Sequence, residues 1–332
     1  MKLLVTGGSG FIGSNFIHYI LEKYPRYEII NLDALTYAGN EATNDAVRSN
    51  PRYTFVRGDI CDPRIVDEVV AKVDAIVHFA AESHVDNSIK NSMVFVMTNV
   101  MGTQVLLEAA RRHGNKRFHH ISTDEVYGHL EHDADPFHED TPHRPRSPYS
   151  ASKAASDHLV MSYYYTHGLP VTISNCSNNY GPFHFPEKLI PLFVTNLLEG
   201  KKVPLYGDGL NVRDWIHVLD HNRAVDQIVH HGVMGHTYCV GSNNEKTNRE
   251  ITDIILSTLG LGEEMIEYVE DRKGHDRRYA IDNTKVCTHL QWKPEISFEE
   301  GVKETIQWYA KNQDWWKKIK SGEYKETNSI YQ

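Results

Sequence analysis

The amino-acid sequence predicts an α/β fold: a Rossmann-type doubly wound parallel sheet with a smaller α/β substrate-binding domain. Three observations carry this. Short apolar runs alternate with helical patterns over the first half of the chain. The first run, Lys2-Leu3-Leu4-Val5-Thr6, passes through Gly7-Gly8-Ser9-Gly10-Phe11-Ile12-Gly13 into a helical pattern at Phe16, Ile17, Ile20 and Leu21. The second run, Glu28 to Leu32, ends at Asp33, twenty residues past Gly13.

Each element has a physical reading. The glycines permit a tight turn, close approach of backbone to a pyrophosphate and close packing of helix on strand, and the helix N-terminus offers free N–H groups to phosphates. A carboxylate at Asp33 accepts from an adenosine 2′-hydroxyl and repels a 2′-phosphate, so NAD is favoured over NADP. Tyr53 to Ile60 reads as a third strand whose exit, Asp59 and Ile60, flanks the adenine. Ala75 to Phe79 reads as a fourth, followed by the small residues Ala80 and Ala81. A long helical pattern over about 87–112 then has Val96, Val100, Val105, Leu106 and Ala109 on or near its apolar side. Asn99 interrupts it, as a solvent position or as a strut beneath the sheet ends.

Arg117-Phe118-His119-His120-Ile121 reads as a buried strand. It delivers Ser122-Thr123-Asp124-Glu125-Val126-Tyr127-Gly128 to a strand's carboxyl end, where open α/β sheets bind ligands. Neighbouring carboxylates resist ionising together, so one is held as an acid while the other serves as a base. Residues 129–147 form a polar loop with several prolines, whose length predicts a lid or rim over the site. A helix from Tyr149 to about His167 puts Tyr149 and Lys153 on one face, where an ammonium lowers the pKa of a phenol. Val171 to Ser174 is a further strand, leading to Cys176-Ser177-Asn178-Asn179-Tyr180-Gly181-Pro182. Beyond it the β-α alternation loosens. The basic segment Asp271 to Tyr279 is read as a grip on a diphosphate or as a solvated loop. The tail from Lys311, with Trp315 and Trp316, is expected to pack at its start and then fray.

Composition excludes several classes. Hydrophobic residues make up 40% and charged residues 24%, ordinary for a globular protein, and the net charge of −9 argues against nucleic acid as a partner. Cys61, Cys176, Cys239 and Cys287 are far apart and read as reduced thiols. The N-terminus enters a strand without a secretory signal, and no apolar run reads as long enough to span a bilayer, so a cytoplasmic location is expected. His217 and His221 are four apart, but no third ligand accompanies them, and no metal site is expected.

With these pieces in place, the chain resembles the extended short-chain dehydrogenase/reductase superfamily, and within it the dTDP-glucose 4,6-dehydratase family, over essentially its whole length. The glycine turn and Tyr149-x-x-x-Lys153 are general to the superfamily. Ser122 to Gly128, Phe79-Ala-Ala-Glu-Ser-His-Val-Asp86, Cys176 to Pro182 and Gly274-His-Asp-Arg-Arg-Tyr279 are specific. Lys273 departs from the family, which commonly has proline there, and the segment from Asn40 is slightly unlike it.

The resemblance implies tightly held NAD contacted by Gly7, Gly10, Phe11, Ile12, Gly13, Asp33, Leu35, Thr36, Asp59, Ile60, Phe79, Ala80, Ala81, Ser83, Asn99, Tyr149, Lys153 and Asn179. It implies dTDP-glucose as the nucleotide-sugar substrate, contacted by Ser83, Thr123, Asn178, Lys188, Leu189, Pro204, Tyr206, Arg213, Asn248, His275, Arg277 and Tyr279. Residues 1–177, rejoined by about 212–241, are then the NAD-binding domain, and 178–211 with 242–332 the nucleotide-sugar domain. A homodimer through a four-helix bundle is expected. The implied catalytic residues are Thr123, Asp124, Glu125, Tyr149 and Lys153. An NAD-dependent 4-epimerase, a dehydratase for another nucleotide sugar and a non-catalytic NAD-binding regulator are the alternatives. The epimerase needs Tyr149 and Lys153 without the carboxylate pair, and the regulator needs none of them.

Overall fold

Burial on both faces explains why the first strands are almost wholly apolar. In the computed structural model, which describes residues 1–271 and 275–325, the chain runs through β1 (Lys2–Thr6), β2 (Glu28–Asp33), β3 (Tyr53–Arg57), β4 (Ala75–His78), β5 (Arg117–Thr123) and β6 (Val171–Cys176). It continues through β7 (Asn178–Tyr180), β8 (Val203–Tyr206), β9 (Val212–His217), β10 (His236–Val240), β11 (Glu245–Thr247) and β12 (Ile266–Val269). Lys273 and Gly274, and the tail end expected to fray, lie outside the described residues.

Seven strands form one parallel sheet in the order β10-β6-β5-β4-β1-β2-β3. Leu4, Ile30, Leu32, Ile76, Phe118 and Ile173 point to one face, against helices 63–70, 103–112 and 148–167. Leu3, Val5, Ile29, Val77 and Ile121 point to the other, against helices 11–23 and 218–231. Each fully buried aliphatic side chain is worth about 1.5–3 kcal/mol. Strand order reverses at β1, which has β2 on one side and β4 on the other, and this opens a crevice at the carboxyl ends. β9 joins β7 and β11 in a separate three-stranded sheet, and β8 pairs with β12. A second apolar cluster, including Tyr180, Phe193, Trp215, Ile251, Val302 and Trp316, lies beneath these small sheets.

Three expectations need correction. The helix expected over 87–112 is broken: Val85–Lys90 ends at Asn91, whose φ of −146° and ψ of 82° are not helical, and the chain restarts at Ser92. Residues Val96–Gly102 then take a π-helical turn, which rotates the face the pattern implied. Phe95, Asn99 and Gly102 turn inward while Val96 is exposed. The stretch Ser92–Arg112 is also long and apolar enough, at mean hydropathy 1.3, to meet a length-and-composition test for a membrane span, but nearly half of it is buried inside the protein. Lastly, the loop 129–147 is a strap rather than a lid. Phe137 is buried and pairs with Ile281, Leu130 N–H bonds the Arg278 carbonyl, and no residue of the loop lines the cleft.

Candidate functional site

The carboxyl end of β1 meets helix 11–23 at the glycine turn. Gly7 has φ +70°, and a Cβ there would stand 2.6 Å from the Ala80 Cα. A Cβ on Gly13 would stand 2.4 Å from the Gly7 carbonyl oxygen. Gly10 caps the helix without a side chain, and no acidic residue occupies its first turn, so its N–H groups face the cleft undimmed by a local anion. Asp33 ends β2, where its carboxylate accepts the Ser9 N–H at 2.9 Å and the Leu35 N–H at 2.8 Å. Burial, with the nearby charge of Glu41, raises its pKa to about 6. This cradle fits a dinucleotide: bare backbone for the pyrophosphate, an acceptor for a ribose hydroxyl.

The cleft here is about 360 Å³. Gly7, Gly10, Phe11, Ile12, Gly13, Asp33, Thr36, Asp59, Ile60, Phe79, Ala80, Ala81, Ser83 and Asn179 all line it. Leu35 does not; held at φ +55°, it serves through the N–H it gives Asp33. Asn99 is not at the surface of the cleft either. It is the strut: its Oδ1 accepts the Glu82 N–H at 2.8 Å, and its Nδ2 donates to the Glu82 carbonyl at 3.0 Å and Ser152 Oγ at 2.8 Å. Asn179 donates to the Ser177 carbonyl at 3.0 Å and pairs with His221 Nδ1 at 2.9 Å, which occupies one of the two histidines weighed as ligands.

β5 ends at Thr123, and a 3₁₀ turn over Asp124–Tyr127 follows. Thr123 Oγ1 caps it by accepting the Glu125 N–H at 3.3 Å. Asp124 is 2% exposed. Its Oδ1 accepts from Thr123 Oγ1 at 3.3 Å, and its Oδ2 has no hydrogen-bond partner. Burial, then the charges of Glu125 and Asp214, hold its carboxyl well above the usual range, which favours the protonated form. Glu125, half-buried, faces the same cleft.

Helix Pro148–His167 begins with a reciprocal Ser147–Ser150 cap, which seats Tyr149 and Lys153 in the cleft wall. The expected lowering of the phenol is not seen. Burial and the charge of Glu125 push Tyr149 well above its ordinary value, while Thr123 opposes the shift. Lys153 donates instead to the Ile121 carbonyl at 2.7 Å, and burial brings it down to about 8.

A second lobe of about 220 Å³ shares Ser83, Glu125, Asn178, Lys188, Leu189 and Trp215 with the first. Pro204, Tyr206, Arg213, Asn248, His275 and Tyr279 line it. Arg213 is buried, its guanidinium 4.4 Å over the Tyr279 ring, and it donates to the Val212 and Asp276 carbonyls at 2.7 and 2.9 Å. Arg277 pairs through both terminal nitrogens with Asp208 at 2.8 Å, is 43% exposed, and stands outside the residues that line the two lobes. Arg278 is likewise taken by Glu245. The pattern missed Tyr37, His184, Phe185 and Trp215, all lining the cleft. His184 stacks on Phe11 at 4.2 Å over the glycine turn. Tyr37, His184 and Phe185 come from loops and Trp215 from within β9, so no shared periodicity marks them.

A glycine turn at the switch point of a parallel sheet, an acidic β2 terminus and a Tyr149/Lys153 pair facing one cleft define the class, that of the extended short-chain dehydrogenases/reductases. Comparison with known proteins narrows it. The GDP-mannose 4,6 dehydratase family model matches residues 4–305. A dTDP-glucose 4,6-dehydratase of Streptomyces antibioticus is 53% identical over 96% of each chain. The crystal structure of dTDP-glucose 4,6-dehydratase from Streptomyces venezuelae, with NAD bound, has a TM-score of 0.94 at 50% identity, covering 96% of this chain and all of that one. The Bacillus anthracis dTDP-glucose 4,6-dehydratase in complex with NAD has a TM-score of 0.91 at 50% identity, over 96% of this chain and 99% of that one. The chain belongs to the dTDP-glucose 4,6-dehydratase family.

Proposed function

We propose that the chain is an NAD-dependent hydro-lyase that converts dTDP-glucose to dTDP-4-dehydro-6-deoxyglucose and water. The observation that carries this is the Asp124–Glu125 pair facing the same cleft as Tyr149, with Asp124 buried, its carboxyl shifted toward the acid form and one of its oxygens unpartnered. Oxidation at a sugar carbon needs only one base. An elimination needs an acid and a base together.

NAD+, held at the glycine turn and Asp33, supplies the acceptor for hydride leaving sugar C4 and, once reduced, the donor for C6. Tyr149, once deprotonated in the cofactor-bound enzyme with Lys153 charged nearby, takes the O4 proton as C4 becomes a ketone, and Thr123 bonds O4. The ketone acidifies the C5–H. Glu125 removes that proton, and Asp124 protonates the departing C6 hydroxyl, so the C6–O bond breaks and water leaves. The proton on Glu125 returns to C5 as hydride reaches C6. In the second lobe Arg213 and Lys188 face the diphosphate, with Asn178, Leu189, Pro204, Tyr206, Asn248, His275 and Tyr279 around the nucleotide. Purified protein incubated with dTDP-glucose, UDP-glucose and CDP-glucose in parallel is expected to form a 4-keto sugar fastest from the first. A 4-epimer with no loss of water would overturn the reading.

A homodimer belongs to the same proposal. Ile89, before the break at Asn91, and Met93, Val94, Val96, Met97 and Met101, after it, are exposed, a larger apolar set than an isolated surface position explains. Packing it, with helix 148–167, on a second copy gives a four-helix bundle. Residues 1–177 with about 212–241 are read as the NAD-binding domain and the remainder as the nucleotide-sugar domain. A cytoplasmic location is also proposed.

A further inference from the structure

Lys153 has an ionisable group behind it that the reaction above does not use. Asp157, one helical turn on, is buried, as is His120 on β5, and neither lines the cleft. His120 Nε2 stands 3.4 Å from Lys153 Nζ and 3.3 Å from Asp157 Oδ1. Asp157 Oδ2 accepts from Ser122 Oγ at 2.9 Å and from Asn175 Nδ2 at 3.1 Å. Asn175 Nδ2 also donates to the Thr123 carbonyl at 3.2 Å, so the same group ties the strand end that carries Asp124. Asp157 Oδ1 and His120 Nδ1 have no hydrogen-bond partner.

An asparagine would accept the two bonds to Oδ2 equally well, so hydrogen bonding does not account for a carboxyl here. A buried carboxylate with an open oxygen is costly and persists where its charge is used. Lys153 is the cation it can serve, because one carbonyl at 2.7 Å and one imidazole nitrogen at 3.4 Å are a poor exchange for water. We propose that Asp157 is a positioning residue for the oxidation half of the reaction, the buried anion that keeps Lys153 charged, with His120 the imidazole set between them. This rests on the role given to Lys153 above.

Other titratable groups surround the pair: His78 on β4, Cys176 on β6, Tyr127 in the turn after β5, and His143 in the strap. Burial and like charges hold His78 and His120 neutral, and burial keeps Cys176 a thiol and Tyr127 a phenol, so none supplies a competing charge near pH 8. His143 is held neutral by burial as well. Without Asp157, Lys153 loses its proton at lower pH.

The test is the pH profile of single-turnover NADH absorbance with dTDP-glucose, together with the ¹³Cε titration of Lys153 in lysine-labelled holoenzyme, assigned by Lys153→Arg. In Asp157→Asn the alkaline limb and the Lys153 titration should both move down by at least one pH unit. One unit above that displaced limb the variant should keep under a tenth of its own optimum. Asp157→Glu should restore the wild-type limb. If Asp157→Asn lowers the rate uniformly while limb and titration stay in place, Asp157 is structural and the inference fails. If it does not fold, Asp157→Ser, which also removes the carboxylate, should move both readouts the same way, and no movement there also overturns it. Wild-type protein that forms no NADH would instead sink the function proposed above, while the Lys153 titration still decides this inference.

Discussion

Asp33 shows how one residue couples cofactor choice to pH. Its pKa of about 6 in the free protein means the carboxylate proposed to accept from a ribose hydroxyl is lost as pH falls through that value. Binding NAD favours the ionised form, so NAD affinity should fall by up to about tenfold per unit below pH 6, measured by calorimetry on cofactor-free protein. Affinity unchanged between pH 5 and 7.5 would dissociate Asp33 from the ribose. Asp33→Ala should weaken NAD and narrow the gap between NAD and NADP, and equal wild-type affinity for the two would contradict the assignment. Arg213→Ala should mainly raise KM, since diphosphate contacts are made alike in ground and transition states. A fall in kcat at unchanged KM would give Arg213 a chemical part. At this scale the sequence was informative wherever spacing encodes geometry: Gly7 to Gly13, Asp33, and Tyr149 with Lys153. It was uninformative for Arg277, because a motif records that a guanidinium is present but not that Asp208 takes it.

Among elements, the glycine turn and the helical stretch after β4 make contrasting claims. Gly13→Ala would push a methyl to 2.4 Å from a backbone oxygen, with no flexible side chain to yield. The strain expected is about 1–3 kcal/mol, read as a lower Tm together with loss of copurifying NAD. An unchanged Tm would mean the turn is looser than described. On Ser92–Arg112, Met97→Glu should leave the fold intact and convert a dimer to a monomer in sedimentation velocity, because Met97 belongs to the exposed apolar set. A variant still dimeric would move the interface elsewhere. The strands of the large sheet were readable because burial on both faces makes short continuous apolar runs. The helical break at Asn91 and the π turn after it were not, since they answer a tertiary demand. Asn99 must face Glu82 and Ser152, and a one-residue shift in hydrogen bonding is how the helix presents it.

For the whole molecule, the two-lobed cleft makes the account testable as one sequence of events. Tyr149 and Lys153, proposed for the oxidation, stand on helix 148–167. Asp124 and Glu125, proposed for the elimination, stand on the turn after β5. Only folding brings them to one cleft, and the second lobe, from β8, β9 and loops far apart in sequence, was legible as separate pieces without an order in space. The most direct measurement is a single turnover of Asp124→Asn/Glu125→Gln with dTDP-glucose, followed by NADH absorbance and by the mass of the released sugar. These replacements keep size and hydrogen bonding while removing both proton-transfer groups. Loss of water should slow by about 10²–10⁴ or more. NADH absorbance should rise and persist beside a 4-keto glucose that retains its C6 hydroxyl, whereas Tyr149→Phe should form neither. Water lost from C6 at the wild-type rate in the double variant would contradict the account and leave an epimerase-like oxidoreductase whose acidic turn is structural.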